Sequence, residues 1–192
     1  MNRTTTPPAR ALALVGMPGA GKSLCARHLE AKGYFQYRFG SIVVDEVSRR
    51  GLPINPENER IVREEFRANE GMDAIAKRAL PILKQALERQ NCIIIDGLYS
   101  WSEYKTLHAD LSGELIVAAV VSERALRYTR LTERTERPLT LEEAERRDYQ
   151  EIENLEKGGP IALADYTLLN NGAPDDLLRA LDRLIEHLNF HP

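Results

Sequence analysis

Eight residues constrain this chain more than any others. "GMPGAGKS", Gly16 to Ser23, lies between the continuous apolar run "ALALV" and the helix-like "LCARHLEAKG". It satisfies G-x-x-x-x-G-K-[ST], with a buried strand feeding in and a helix leading out. Gly16, Gly19 and Gly21 let backbone N–H groups turn toward phosphate oxygens with no Cβ in the way. The positive end of the helix starting near Lys22 favours the bound anion. Lys22 then reaches the β- and γ-phosphates from a solvent-facing loop, and Ser23 offers its hydroxyl to Mg²⁺. A plain strand-to-helix turn accounts for the glycines but not for the lysine and serine after them. The expectation is a P-loop in which Gly16, Met17, Pro18, Gly19, Ala20, Gly21, Lys22, Ser23 and Leu24 hold ATP, with Mg²⁺ as its metal.

The rest of the chain predicts the scaffold for such a loop. "NCIIIDG" and "ELIVAAVVS" are further apolar runs, "YFQYRF" and "ADYTLLNNG" are weaker strands, and amphipathic helices separate them. Strands apolar throughout that alternate with helices mean a mainly parallel sheet covered on both faces. The fold expected is therefore α/β: one three-layer domain over residues 11–190, preceded by a disordered lead-in at 1–10. Two helical excursions leave it, an acceptor-binding one at 41–70 and a lid at 134–158. Ser41 is the expected N-cap of the helix "SIVVDEVSRRG". Ile61, Val62 and Phe66 share the buried face of the next helix, and Pro81 is expected to kink the one after.

Among 192 residues, 26 are Lys or Arg and 29 Asp or Glu, a net charge of -3 that advertises neither nucleic acid nor an anionic membrane. Two cysteines in apolar surroundings and four scattered histidines argue against a disulfide framework or a zinc site. The apolar stretch near the N-terminus is too short to span a bilayer and is interrupted by glycine, proline and lysine. A cytoplasmic location is expected.

Asp96 ends "CIII" at the carboxyl edge of the predicted sheet, where a carboxylate can hold the Mg²⁺ shell, although an Asp-Gly turn is the simpler alternative. The next residue is Gly97 and not a glutamate that would activate water, which favours transfer to a bound acceptor over hydrolysis. Arg127, Arg130 and Arg134, spaced i, i+3, i+7, share a helix face, and Arg137, Arg146 and Arg147 follow. Such guanidinium groups can stabilise charge on a transferring phosphoryl group. The Glu123–Arg127 and Glu133–Arg137 spacings equally suit a solvated surface.

Taken together, the glycine-rich loop, "IIIDG", "RLTER", the "RRD" helix and "ADYTLLNNG" resemble the nucleoside-monophosphate kinase group of P-loop proteins. "RPLTLEEAERRDYQEIE" and "ADYTLLNNG" are similar to the lid and last strand of dephospho-CoA kinases. The ensemble, including "RGLPINPENERIVREEFRANEGMDAIA", is similar to an adenylate-kinase-like group best represented in archaea. The resemblance implies a kinase that moves a phosphoryl group from ATP to a small, nucleotide-like acceptor. Its catalytic residues would be Lys22, Asp96, Arg134, Arg137 and Arg147, with Arg130 at the nucleotide and Ser23 and Asp96 at the metal. The chain departs from the family where Ser41 and Val44 replace an acceptor-side Asp and Arg, and where "LYS" follows Gly97. Arg38, Arg49, Arg50, Arg60 or Arg67 are the candidate replacements, and Asp45 a candidate base. A dephospho-CoA kinase and an ATP-binding regulator without turnover remain the alternatives.

Overall fold

The computed structural model describes residues 10–111, 115–135 and 137–192. The elements run β1 (Arg10–Val15), α1 (Lys22–Ala31), β2 (Phe35–Arg38), α2 (Phe39–Arg49), α3 (Pro56–Glu70), α4 (Ala74–Leu87) and β3 (Cys92–Asp96). They continue with α5 (Trp101–Asp110), β4 (Leu115–Val121), α6 (Arg124–Glu133), α7 (Leu141–Glu153), α8 (Gly158–Ala162), β5 (Tyr166–Leu169) and α9 (Pro174–His187). The strands form one five-stranded sheet in the order β2-β3-β1-β4-β5, with every neighbouring pair parallel.

Alternation along the strands divides the core in two. Leu12 and Leu14 of β1, with Ile94 of β3, pack toward α1 and α9, where Leu29, Leu177 and Leu181 cover them. Ala11, Ala13 and Val15, with Ile93 and Ile95, face Phe39, Val43, Leu83 and Leu107 on the other side. Both faces are dry, which is why these strands read as unbroken apolar runs. Each such buried Leu or Ile contributes roughly 1.5–3 kcal/mol. Registry sets Leu14 beside both Asp96 and Ala118. The loops after β1, β3 and β4 therefore leave the same edge of the sheet, the carboxyl edge where α/β folds place ligands.

Several local expectations are corrected. Arg10 belongs to β1, so the sheet begins one residue before residue 11, and the remainder of the lead-in lies outside the described residues. The helix expected from Ser41 starts at Phe39, and Ser41 Oγ donates to the Arg38 carbonyl instead of capping. Ile61 is 37% exposed, because α3 rests on Val62 and Phe66 alone. Pro81 lies where expected, inside α4. Gly158 and Gly159 open the short α8 and do not simply end the preceding charged stretch.

Candidate active site

The loop between β1 and α1 is built so that its carbonyls face the protein. Gly16 O accepts from Lys22 Nζ at 2.6 Å, Pro18 O from Arg127 Nη1 at 2.9 Å, and Ala20 O from Asn170 Nδ2 at 2.7 Å. Met17 O accepts from Ala20 N at 3.2 Å, and Gly19 O is 3.5 Å from Arg130 Nη1. Holding the carbonyls in this way leaves the loop's N–H groups other than that of Ala20 for a ligand. Gly19 has φ +76°, and a Cβ there would sit 2.6 Å from the Arg127 carbonyl oxygen. Gly21 has φ +112° and is pressed against Asn170 Nδ2. Neither position admits a side chain.

No side chain caps the first turn of α1. Its orphan N–H groups open on a cleft of about 580 Å³ lined by Gly19, Gly21, Lys22, Ser23, Arg130 and Arg134, among others. Lys22 is the first residue of α1 and half-buried, not on a solvent-facing loop as its sequence context suggested. Burial, and then the neighbouring Lys157 ammonium, lower its pKa to about 7, while Glu151 and Asp96 pull it the other way. A lysine with only carbonyl partners beside uncapped helix N–H groups fits a polyphosphate. The Ser23 hydroxyl is exposed on the same turn, and Asp96 Oδ2 accepts from Gln36 Nε2 at 3.2 Å with Arg38 Nε 4.0 Å away. A hydroxyl and a part-buried carboxylate at one sheet edge fit a Mg²⁺ shell completed by phosphate and water.

Arg127 has a different task from the one its helix face suggested. It is 6% exposed and gripped by Asp148 of α7, with Nη1 to Oδ1 at 2.9 Å and Nη2 to Oδ2 at 2.5 Å. Through its further bond to Pro18 O, it ties α7 to the phosphate loop. Arg130 donates to Ser122 Oγ at 3.1 Å and to Asn170 O at 2.9 Å, and still borders the cleft. Arg134, just past α6, reaches the same cleft while its Nε donates to Arg137 O at 2.6 Å.

A second cavity, about 340 Å³, lies between α2, α3, the loop after β3, and α7. Arg63 and Arg67 of α3 reach it together with Arg147 of α7, Tyr99 and Glu103. Arg60 on the same helix is held by Glu57 and Glu64, whereas Arg63 and Arg67 make no ion pair among the described residues. Arg67 Nε is buried without a hydrogen-bond partner, and burial lowers its pKa. Glu103 forms a capping box with Ser100: its Oε2 accepts from Tyr99 N at 2.8 Å and Ser100 N at 3.0 Å. Its Oε1 is buried and unpartnered, and burial raises its pKa. Two cations one helical turn apart repel, and unmatched buried polar atoms are costly. An anionic ligand that also carries a hydrogen-bonding group would relieve both.

The structure therefore brings Gly19, Gly21, Lys22, Ser23, Leu24, Arg130 and Arg134 to one cleft, while Gly16, Met17, Pro18 and Ala20 shape its loop. Arg147 is at the second cavity, close enough to Lys22 to act on it. Arg137 is exposed, with φ 51°, and contributes its carbonyl to Arg134. Of the candidate replacements for the missing acceptor arginines, Arg67 is in place. Arg38 pairs with Glu30, while Arg49 and Arg50 pair with Glu46. Asp45 is exposed on α2 and does not line the cavity. Sequence reasoning missed Arg63, Glu103, Glu151 and Lys157. Only Glu103 carried a local signal, the S-x-x-E spacing from Ser100.

Comparison with known proteins bears on the fold and the family. A family model described as AAA domain matches residues 12–153. A UPF0200 protein of Thermococcus gammatolerans is 34% identical over 178 residues, covering 91% of this chain and 93% of its own. Among solved structures, TT1252 from Thermus thermophilus superposes with a TM-score of 0.66 at 20% identity, covering 94% of this chain and 98% of that one. Shikimate kinase from Acinetobacter baumannii, in complex with shikimate, gives 0.56 at 18% identity, covering 94% and 93%. The parallel sheet flanked by helices is the fold that this chain shares with these solved structures. Among the described residues, no helix is long and apolar enough to cross a membrane.

Proposed function

The chain belongs to the AAA-domain family and to the UPF0200 proteins, and on that premise we propose that it is an ATP- and Mg²⁺-dependent small-molecule kinase. The observation that carries this reading is a junction. Arg147 and Glu151 line the arginine-rich second cavity and also act electrostatically on Lys22 of the phosphate loop. A donor cleft that holds Lys22 and a second cavity whose charges act on that lysine suit transfer between two bound molecules, which depends on positioning and charge stabilisation.

In this reading ATP is the co-substrate that supplies the phosphoryl group, and Mg²⁺, held by Ser23 with Asp96 behind it, neutralises phosphate charge. Loop N–H groups and Lys22 grip the phosphates, and Arg130 lies along the cleft wall. Arg134 and Arg147, from the 134–158 stretch, converge on the transferring group and help exclude water as a lid. Arg63 and Arg67 hold an anionic part of the acceptor. The acceptor is nucleotide-like, as the resemblance to nucleoside-monophosphate and dephospho-CoA kinases implies.

A coupled ADP-release screen against nucleoside monophosphates, nucleosides and dephospho-CoA tests the reading. Release stimulated by one acceptor supports it. Release indifferent to every acceptor would make the protein a hydrolase, and ATP binding without release would make it a regulator.

A further inference from the structure

Glu151 occupies a place that no phosphate grip requires. It projects from the last turns of α7 with its side chain 13% exposed, lines the acceptor cavity, and acts on Lys22. Lys157 Nζ donates to its Oε2, Arg147 Nε approaches its Oε1 at 3.3 Å, and Lys157 N donates to its backbone carbonyl at 3.2 Å. Lys157 is itself 1% exposed, with its ammonium 4.9 Å from the centre of the Tyr99 ring. Of the charges around Lys22, that of Lys157 acts on it most strongly. A buried Lys–Glu pair is a poor stabiliser, because apolar side chains of similar volume commonly do as well. The place of Glu151 on the wall of the arginine-lined cavity, with its charge acting on Lys22, calls for a chemical explanation.

Resting on the kinase reading above, we infer that Glu151, held by Lys157, takes the proton of an acceptor hydroxyl, so that the phosphoryl group passes to an alcohol and not to a phosphate. The other carboxylates are placed for different work. Asp96 acts on Lys22 but does not line the acceptor cavity. Glu103 lines it from α5 and is not among the charges that act on Lys22. Glu59 lines it from the first turns of α3 and is not among the charges that act on Lys22. A phosphate acceptor attacks through an oxygen that has no proton to lose at neutral pH, and a carboxylate beside it would repel it. An alcohol must shed its proton, and a carboxylate within hydrogen-bond reach both aims and receives it. In the step, the alcohol oxygen forms a bond to the γ-phosphorus. The bond from that phosphorus to the bridging oxygen breaks, its electron pair leaves on ADP, and the proton moves to Glu151. Arg63 and Arg67 add a second requirement, an anionic group elsewhere on the alcohol.

The test incubates the full chain with ATP, Mg²⁺ and a panel of dephospho-CoA, adenosine, shikimate, gluconate and AMP. It measures ADP release and the phosphorus NMR signal of the product. The expected product is a phosphate monoester on a former hydroxyl. Glu151→Gln keeps an oxygen for Lys157 and should lower kcat by about 10²–10³-fold with KM for ATP nearly unchanged. It should also leave ATP-induced thermal stabilisation in place. An anhydride product, such as ADP formed from AMP, would overturn the inference while sparing the kinase reading. A Glu151→Gln enzyme within about threefold of the parent would reduce the Lys157 pair to a structural staple. Absence of ADP release with every compound would overturn the kinase reading and this inference with it. Product identity is read on the parent protein, so the hydroxyl claim is decided even if the variant fails to fold.

Discussion

Binding of a nucleoside triphosphate should draw a proton out of solution, and the amount can be worked from Lys22. In the free protein, burial and the Lys157 charge lower the Lys22 pKa to about 7. Among the described residues, its ammonium there bonds only to the carbonyls of Gly16 and Met17. Phosphate oxygens placed against Nζ favour the charged form and return the pKa toward the ordinary value of about 10.4. At roughly pH 8.5 most Lys22 is neutral before binding and charged after it, an uptake of ~1 proton; at roughly pH 6 it is charged throughout, an uptake of ~0. Affinity should accordingly weaken by up to ~10-fold per pH unit above about 7. Titration calorimetry of a non-hydrolysable ATP analogue, in paired buffers of different ionisation enthalpy, measures the uptake directly. Lys22→Met should abolish it. No uptake at the alkaline pH, or equal uptake in the variant, would refute the reasoning. The same shift sets a stability trend for the free protein. The unfolded chain binds the extra proton between about pH 7 and 10.4, so the Lys22 contribution to stability grows as pH rises through that window. It is lost as pH falls through about 7.

Three further outcomes follow from the packing around the loop. Gly19→Ala forces a Cβ to 2.6 Å from the Arg127 carbonyl at φ +76°, which should destabilise the protein by ~1–3 kcal/mol and weaken analogue binding, both read by calorimetry. Asp148→Ala leaves the Arg127 charge buried and unpaired at a cost of ~3–5 kcal/mol. For a chain of this size that lowers Tm by roughly 6–20 °C in a thermal melt, and an unchanged melt would remove the clamp from the account. Asp96→Asn should raise the Mg²⁺ concentration needed for half-maximal ADP release while leaving metal-free nucleotide binding within about twofold; matching Mg²⁺ titrations would reduce Asp96 to a turn residue.

The sheet was legible because β1, β3 and β4 are buried on both faces, which writes them as unbroken apolar runs. The phosphate loop was legible because Gly19 and Gly21 meet backbone or side-chain atoms that exclude any Cβ. Arg127 was not legible. Its spacing groups it with Arg130 and Arg134, and nothing local reveals that Asp148, on another helix, removes it from the cleft. Arg63 was missed, and Arg67 could be named only as one candidate among five, for the same reason: periodicity shows what shares a helix side, not what that side meets. Gly158 and Gly159 close the charged run and open α8, where Gly159 packs so closely on Trp101 that a Cβ would come within 2.7 Å of the ring, a contact no local pattern announces. Lys157, beside those glycines at the end of a charged run, carried no sign that the chain would bury it against Tyr99.

The central claim is that the phosphate loop and the arginine-lined cavity are two halves of one transfer site. ATP labelled on its γ-phosphate, incubated with the protein, Mg²⁺ and each acceptor of the panel, measures this most directly. The account predicts label in one organic acceptor, in equal amount to the ADP formed, and none with Lys22→Ala. Label found only in inorganic phosphate, or retained in bound ATP under every condition, would contradict it.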